Sequence, residues 1–136
     1  MSCWPSDKHL CSWLHLAPHN DVSGGKVLRS HTLKGPNRAG QAFRLAAQAA
    51  SRTDTALGAY FRRMRAKHGP QKAIVATAHK IARLFYFMLK HRKPFHDIGA
   101  EAYGQHERER EVAHLQKKAA KLGFTLVQSS AQPAQV

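Results

Sequence analysis

From Pro70 to Lys93 the chain places apolar residues at the spacing of a single helix face: Ile74, Ala78, Ile81, Phe85 and Met88 follow one another at intervals of 4, 3, 4 and 3. That period predicts a long amphipathic helix with one buried stripe. Gly69-Pro70 opens it, with proline at the first helical position, where its missing N–H is no loss, and Lys93-Pro94 closes it. One long stripe of this kind needs further helices to cover it, so the expected architecture is a bundle.

The flanking segments supply those helices. Asn37 caps a helix running to about Ser51, with Phe43, Ala46, Ala47 and Ala50 inward and Arg38, Arg44 and Arg52 in water. A helix from Thr55 to His68 buries Leu57, Tyr60, Phe61 and Met64. Upstream, Ser6 caps a short helix with Leu10, Trp13 and Leu14 on one face, stopped by Pro18. Between His19 and Pro36 lies a loop with room for a small hairpin, bracketed by Gly24-Gly25 and Gly35-Pro36. After Pro94, the stretch PFHDIGAEAYGQ reads as an irregular connection that packs Phe95, Ile98 and Tyr103 on the helices. A last helix from about Gln105 to Leu122 turns Val112, Leu115, Ala119 and Leu122 inward and ends at Gly123, before a short strand or packed tail from Phe124 to Val127. The expectation is a mainly α fold: a compact bundle of four to five helices with a Gly-rich loop or hairpin near the N-terminus. One domain covers residues 1–127, and residues 128–136 form a disordered tail.

Charge narrows the function. The 136 residues carry a net charge of +14, and residues 37–93 hold thirteen Lys and Arg against Asp54 alone. A solvated helix face ordinarily mixes signs, and here the acids are missing, so the block points to a polyanionic partner. Its apolar residues distinguish it from a disordered basic tail. The face comprises Arg62, Arg63, Arg65, Lys67, Lys72, Lys80 and Arg83, continued by Lys90, Arg92 and Lys93. Contacts from such a face address phosphates and position a protein on nucleic acid without reading sequence. The start of the Asn37 helix, behind Gly35-Pro36 and beside Arg38 and Arg44, adds a further phosphate seat.

Other classes recede. No run of about 18 apolar residues spans a membrane, and the N-terminus lacks the pattern of a signal peptide, so a cytoplasmic location with no membrane contact is expected. Cys3 and Cys11 make no disulfide framework. With His15 and His19 they offer zinc-type ligands, yet seven residues separate the thiols where a knuckle needs two to four, so no metal is expected. Ser23-Gly24-Gly25-Lys26 places a hydroxyl beside two glycines and a cation, so a phosphate can approach the backbone while Lys26, Arg29 and Lys34 neutralise it. It is not a Walker loop, which needs four residues between its first glycine and Gly-Lys.

In order and spacing, the blocks KHLCSWLHLAPHNDVSGGK, LKGPNRAGQAFRLAAQAA and LGAYFRRMRAKHGPQKAIVATAHKIARLFYFMLKHRKPFHDIGAEAY resemble the C-terminal domain of the bridge-RNA-guided insertion-sequence transposases of the IS one-ten type, across roughly residues 8–122. The resemblance implies that Ser23 is the nucleophile that attacks a DNA phosphodiester. It implies DNA and a structured guide RNA as partners, an oligomeric active complex, and a RuvC-like domain, in cis or in trans, whose carboxylates bind magnesium. The eight acids of this chain are scattered and form no such cluster, so no cofactor is expected on it. With Met1 falling near the start of the resembling region, the resemblance implies a fragment that binds DNA and is inactive alone. His15 stands where the family usually has glycine. The rival reading is a non-enzymatic basic helical protein that coats or bends nucleic acid, with Ser23 a plain turn residue.

Overall fold

A computed structural model of the chain describes residues 3–35 and 37–127. Pro36 and the tail expected over residues 128–136 lie outside the described residues. The elements, in order, are α1 (Asp7–Trp13), β1 (Pro18–Ser23), β2 (Lys26–Thr32), α2 (Arg38–Ala50), α3 (Ala56–His68), α4 (Pro70–His91) and α5 (Gly99–Lys121). The fold is mainly α, with one antiparallel hairpin, as the sequence predicts.

The long helix α4 is the centre: α1, α2 and α3 all pack on it. Its buried residues, Ala73, Thr77, Ala78, Ala82 and Tyr86, are mostly small, which lets three helices approach one axis. Being covered from several sides, α4 has a broader buried surface than one stripe, and Phe85 sits at its margin, 41% exposed and edge-on to Phe43 of α2. The core continues into Leu10, Cys11, Leu14 and Leu16 of the N-terminal segment. Tyr86 holds that segment down, its hydroxyl lying 3.0 and 3.1 Å from the carbonyls of Trp4 and Pro5, while Asp7 takes a 2.5 Å hydrogen bond from Arg83.

Two glycines set the closest approaches. A Cβ on Gly40 would lie 2.2 Å from the Leu14 carbonyl oxygen, and one on Gly58 equally close to that of Thr53. At the crossing of α1 and α2, Asn37 accepts from Gly40 N–H at 2.8 Å and donates to the Trp13 carbonyl at 2.6 Å, so the predicted cap also ties two helices together. Thr55 caps α3 through Gly58 N–H, and Asp97 accepts from Ala56 N–H at 3.1 Å, fastening the approach to α5 beside the start of α3.

Several expectations are corrected. Ser6 stands at the N-cap of α1 but makes no capping bond, its hydroxyl pairing with His9 at 2.7 Å instead. Trp13 is 51% exposed and leans on Trp4 rather than facing the core. Ala46 is exposed, and Arg44 is half-buried, not wet. The segment after Pro94 is not irregular throughout: the helix begins at Gly99, burying Tyr103 against Tyr60 while Phe95 and Ile98 stay 42% and 50% exposed. Val112, Leu115 and Leu122 are 40%, 50% and 67% exposed. The reason is length, because α3 and α5 start together and run the same way, at Ala56/Asp97, Tyr60/Tyr103 and Arg63/Glu107, and α3 stops at His68. With 23 residues against 13, α5 overshoots its neighbour. Phe124 to Val127 forms no strand and is exposed.

Candidate functional site

Gly24-Gly25 is itself the turn of the hairpin, with strands on both sides, where the sequence alone brackets a hairpin beyond it. Both turn residues have positive φ, 55° and 76°, the twist that joins two strands through a two-residue turn. The ladder runs from Pro18 opposite Thr32 at the base to Ser23 opposite Lys26 at the tip. At roughly 3.3 Å per residue, Ser23 stands about 16 Å beyond that base.

A bulge decides which side chains share a face. The register shifts at the Asp21/Val22 step because β2 carries one extra residue, Leu28, so β1 keeps its regular alternation. His19, Asp21 and Ser23 therefore lie on one face of β1, opposite His31, Arg29 and Lys26. Val22 and Val27 pair on the other face, 58% and 57% exposed. On the polar face His31 Nδ1 lies 4.0 Å from Asp21 Oδ2, and the His19 ring meets His31 edge-on. Ser23 is exposed, and its hydroxyl makes no side-chain hydrogen bond among the described residues. Cross-strand neighbours on a face have Cβ atoms about 5 Å apart, so Lys26 is the cation nearest Ser23 in the ladder, with Arg29 beyond it.

At the base, the hairpin and α4 enclose an open groove of about 560 Å³ whose walls include Ser30, His31, Lys34, Lys72, Val75 and His79. This brings Lys34 and Lys72 together although 37 residues separate them. Burial, reinforced by the Arg83 charge, pushes the His79 pKa down, so the imidazole is neutral at physiological pH. Arg65 and Lys67 occupy the last turn of α3, joined to the start of α4 by Gly69 alone.

The predicted contact residues divide into two groups. Lys26, Arg29, Lys34, Arg38, Arg65, Lys67 and Lys72 are exposed and form no ion pair or side-chain hydrogen bond among the described residues. The others are engaged by the fold. Asn37 uses both ends of its amide at the α1–α2 crossing, and Arg44 donates to the His15 carbonyl at 2.9 Å. Arg62 donates to the Thr53 carbonyl, Arg63 pairs with Glu107, and Arg83 with Asp7. Lys80 is half-buried, its ammonium 4.2 Å from the Tyr60 ring centroid and 5.0 Å from that of Tyr103. Burial first, then the Arg63 and Arg110 charges, lower its pKa. That engagement depends on which helices meet, which the charge count does not convey. The shared face of Asp21, His31 and Ser23 is likewise not conveyed by the sequence, although Gly24-Gly25 between Val22 and Val27 is a legible turn signal.

No group of three or more His, Cys, Asp or Glu among the described residues is placed to hold an ion, so no step through magnesium is derived for this chain. Cys3 is exposed while Cys11 is buried, and burial, with the Asp7 charge beside it, pushes the Cys11 thiol up to about 11. Among the described residues no helix is long and apolar enough to cross a membrane.

Comparisons with curated proteins and with solved structures give no match. A family model does match, over α1, the whole hairpin, α2 and the first half of α3, and the blocks after residue 62 lie outside it. The matched family is the transposase IS116/IS110/IS902 family, over residues 1–62, and the match supports an insertion-sequence transposase origin for this part of the chain.

Proposed function

We propose that the chain is a DNA-recombination domain of an insertion-sequence transposase and that Ser23 is its nucleophile. The observation that carries this is the coincidence of the family match with the hairpin: the matched residues include a serine held at an exposed tip with Lys26 across the ladder and Arg29 on the same face. In the proposed step the Ser23 oxygen bonds to a DNA phosphorus as the P–O3′ bond breaks, and the hydroxyl proton ends on the departing 3′-oxygen. One phosphodiester replaces another, so the reverse attack by a 3′-hydroxyl rejoins strands without an external energy source. Lys26 and Arg29 neutralise the phosphate oxygens, and the groove cations Lys34 and Lys72 hold the strand farther along.

The metal-dependent part belongs to a RuvC-like domain, in cis or in trans, and a structured guide RNA is the second polyanion the basic surface serves. The test mixes the chain with such a domain, magnesium and a suicide DNA substrate, and looks for a protein–DNA adduct that survives denaturation. An adduct lost in Ser23→Ala supports the reading; an adduct retained in that variant, or none while binding persists, removes Ser23 from the chemistry. The rival, a non-enzymatic nucleic-acid binder, is favoured by one observation: no base lies in hydrogen-bond reach of the Ser23 hydroxyl among the described residues. It predicts salt-sensitive binding that Ser23→Ala leaves unchanged.

A further inference from the structure

The C-terminal end of α4 outreaches α3. The two helices run antiparallel, as Tyr60 beside Lys80 shows, and α4 has 22 residues where α3 has 13. Cover from α3 therefore runs out near Leu84, about two turns before α4 ends. The chain leaves α4 through Arg92, in the left-handed region at φ 51°, and residues 93–96 return beside the helix. Between them lies an open groove of about 390 Å³ walled by Leu84, Phe87, Met88, His91, Phe95 and His96. Its surface combines two properties. The first is flat aromatic area: Phe87 and Phe95 are each 42% exposed, and Phe87 and His91, one turn apart, hold their rings within 12° of parallel at 6.0 Å between centroids. The second is charge of one sign. The thirteen residues from Leu84 to His96 include Lys90, Arg92 and Lys93 and no Asp or Glu. Lys93 lines the groove, and both it and Arg92 are exposed, with no ion pair or side-chain hydrogen bond among the described residues. Asp97, the next acid along the chain, accepts from the Ala56 N–H at 3.1 Å.

An apolar partner leaves these cations uncompensated, and an acidic partner without flat rings leaves the aromatic faces against water. An unpaired nucleic-acid strand satisfies both, because its bases stack on rings while its phosphates meet the cations. A duplex does not, since neighbouring base pairs already cover its base faces. We propose that this groove is a seat for an unpaired DNA strand, its bases stacking on Phe87, His91 and Phe95 and its phosphates held by Arg92 and Lys93. The choice of DNA rests on the proposed strand transfer, which requires a cut strand with a free 3′-hydroxyl to leave its complement before it is rejoined. The seat itself takes no part in the chemistry of Ser23.

The test measures binding of the full chain, across salt concentrations, to a single DNA strand of about 12 nucleotides carrying 2-aminopurine, to the same strand as RNA, and to the DNA duplex. Phe87→Leu with Phe95→Leu keeps apolar bulk and removes the flat faces. It is expected to weaken single-strand binding about tenfold or more and to abolish quenching of the probe, with duplex affinity within about twofold and the helical signal intact. Phe87→Tyr with Phe95→Tyr preserves both binding and quenching. Lys93→Gln lowers the salt slope for the single strand by about 0.7, the share of one phosphate, whereas the leucine pair leaves that slope unchanged. Should the leucine pair disturb the helical signal, Phe95→Leu alone, outside any helix, is expected to weaken single-strand binding about threefold. Equal loss for single strand and duplex, or no loss, overturns the seat. DNA is expected to bind at least as tightly as RNA, and tighter binding of RNA overturns the DNA assignment. These measurements cut no strand, so the seat can hold where the Ser23 reading fails, and the adduct assay can succeed where the seat fails.

Discussion

Two residues set the geometry of the N-terminal third. His15 follows α1 with φ 56°, in the left-handed region, and the bonds Leu16 N–H to Cys11 O and His15 N–H to Ser12 O close the turn. A side chain pays about 1 kcal/mol for that conformation where glycine does not. His15→Gly is therefore expected to raise stability by about 0.5–1 kcal/mol, read as a rise in Tm, because the Arg44 bond goes to the His15 backbone carbonyl and survives. Asp7 behaves differently. Its hydrogen bond from Arg83, aided by the guanidinium charge, holds its carboxyl below the usual carboxylate range. A depressed folded-state pKa adds stability above the unfolded-state value and loses it as pH falls through the folded one. Asp7→Asn should lower Tm at pH 7 by an amount set by about 0.5–1 kcal/mol, the half-exposed Arg83 side leaving the pair partly screened. The gap between variant and parent closes in acid below the carboxylate range, and a gap that persists there would refute the ion-pair account.

Among the elements, the helices were largely legible and their outer faces were not. The Ile74 to Met88 period located α4, and Asn37 and Thr55 marked the starts of α2 and α3, because caps and periodicity are local. Which arginines stay in water depends on contacts across the fold. Arg44 and Lys80 look like surface cations in sequence, yet the His15 carbonyl and two tyrosine rings occupy them. The distinction is measurable. Lys34→Ala with Lys72→Ala should reduce the slope of log affinity for DNA against log salt by about 2, since each phosphate contact contributes close to one unit. Lys80→Ala should leave that slope unchanged and lower Tm instead. The hairpin was half legible: its glycine pair marks a turn, but the strands on either side of it are too polar and exposed to stand out by alternation.

For the whole molecule, α4 provides a rigid axis while the hairpin and the free half of α5 extend from the body. The expected compact bundle is thus accurate for the core. It misses both extensions because burial patterns in sequence assume that every apolar stripe finds a cover within the chain. Under the proposed division of labour, the chain purified alone with magnesium should retain salt-sensitive DNA binding and leave supercoiled plasmid intact, because the metal-dependent part belongs to the RuvC-like domain. Nicking by the wild-type chain that is absent in Ser23→Ala would contradict this expectation of dependence on another domain. The exposed position of Ser23 has a consequence for timing. With no base or proton acceptor bonded to it among the described residues, its hydroxyl has the dormancy of any serine in water. Under the proposed chemistry, abundance of this polypeptide is not itself a hazard to a genome, because reactivity switches on only in the encounter that supplies the missing groups.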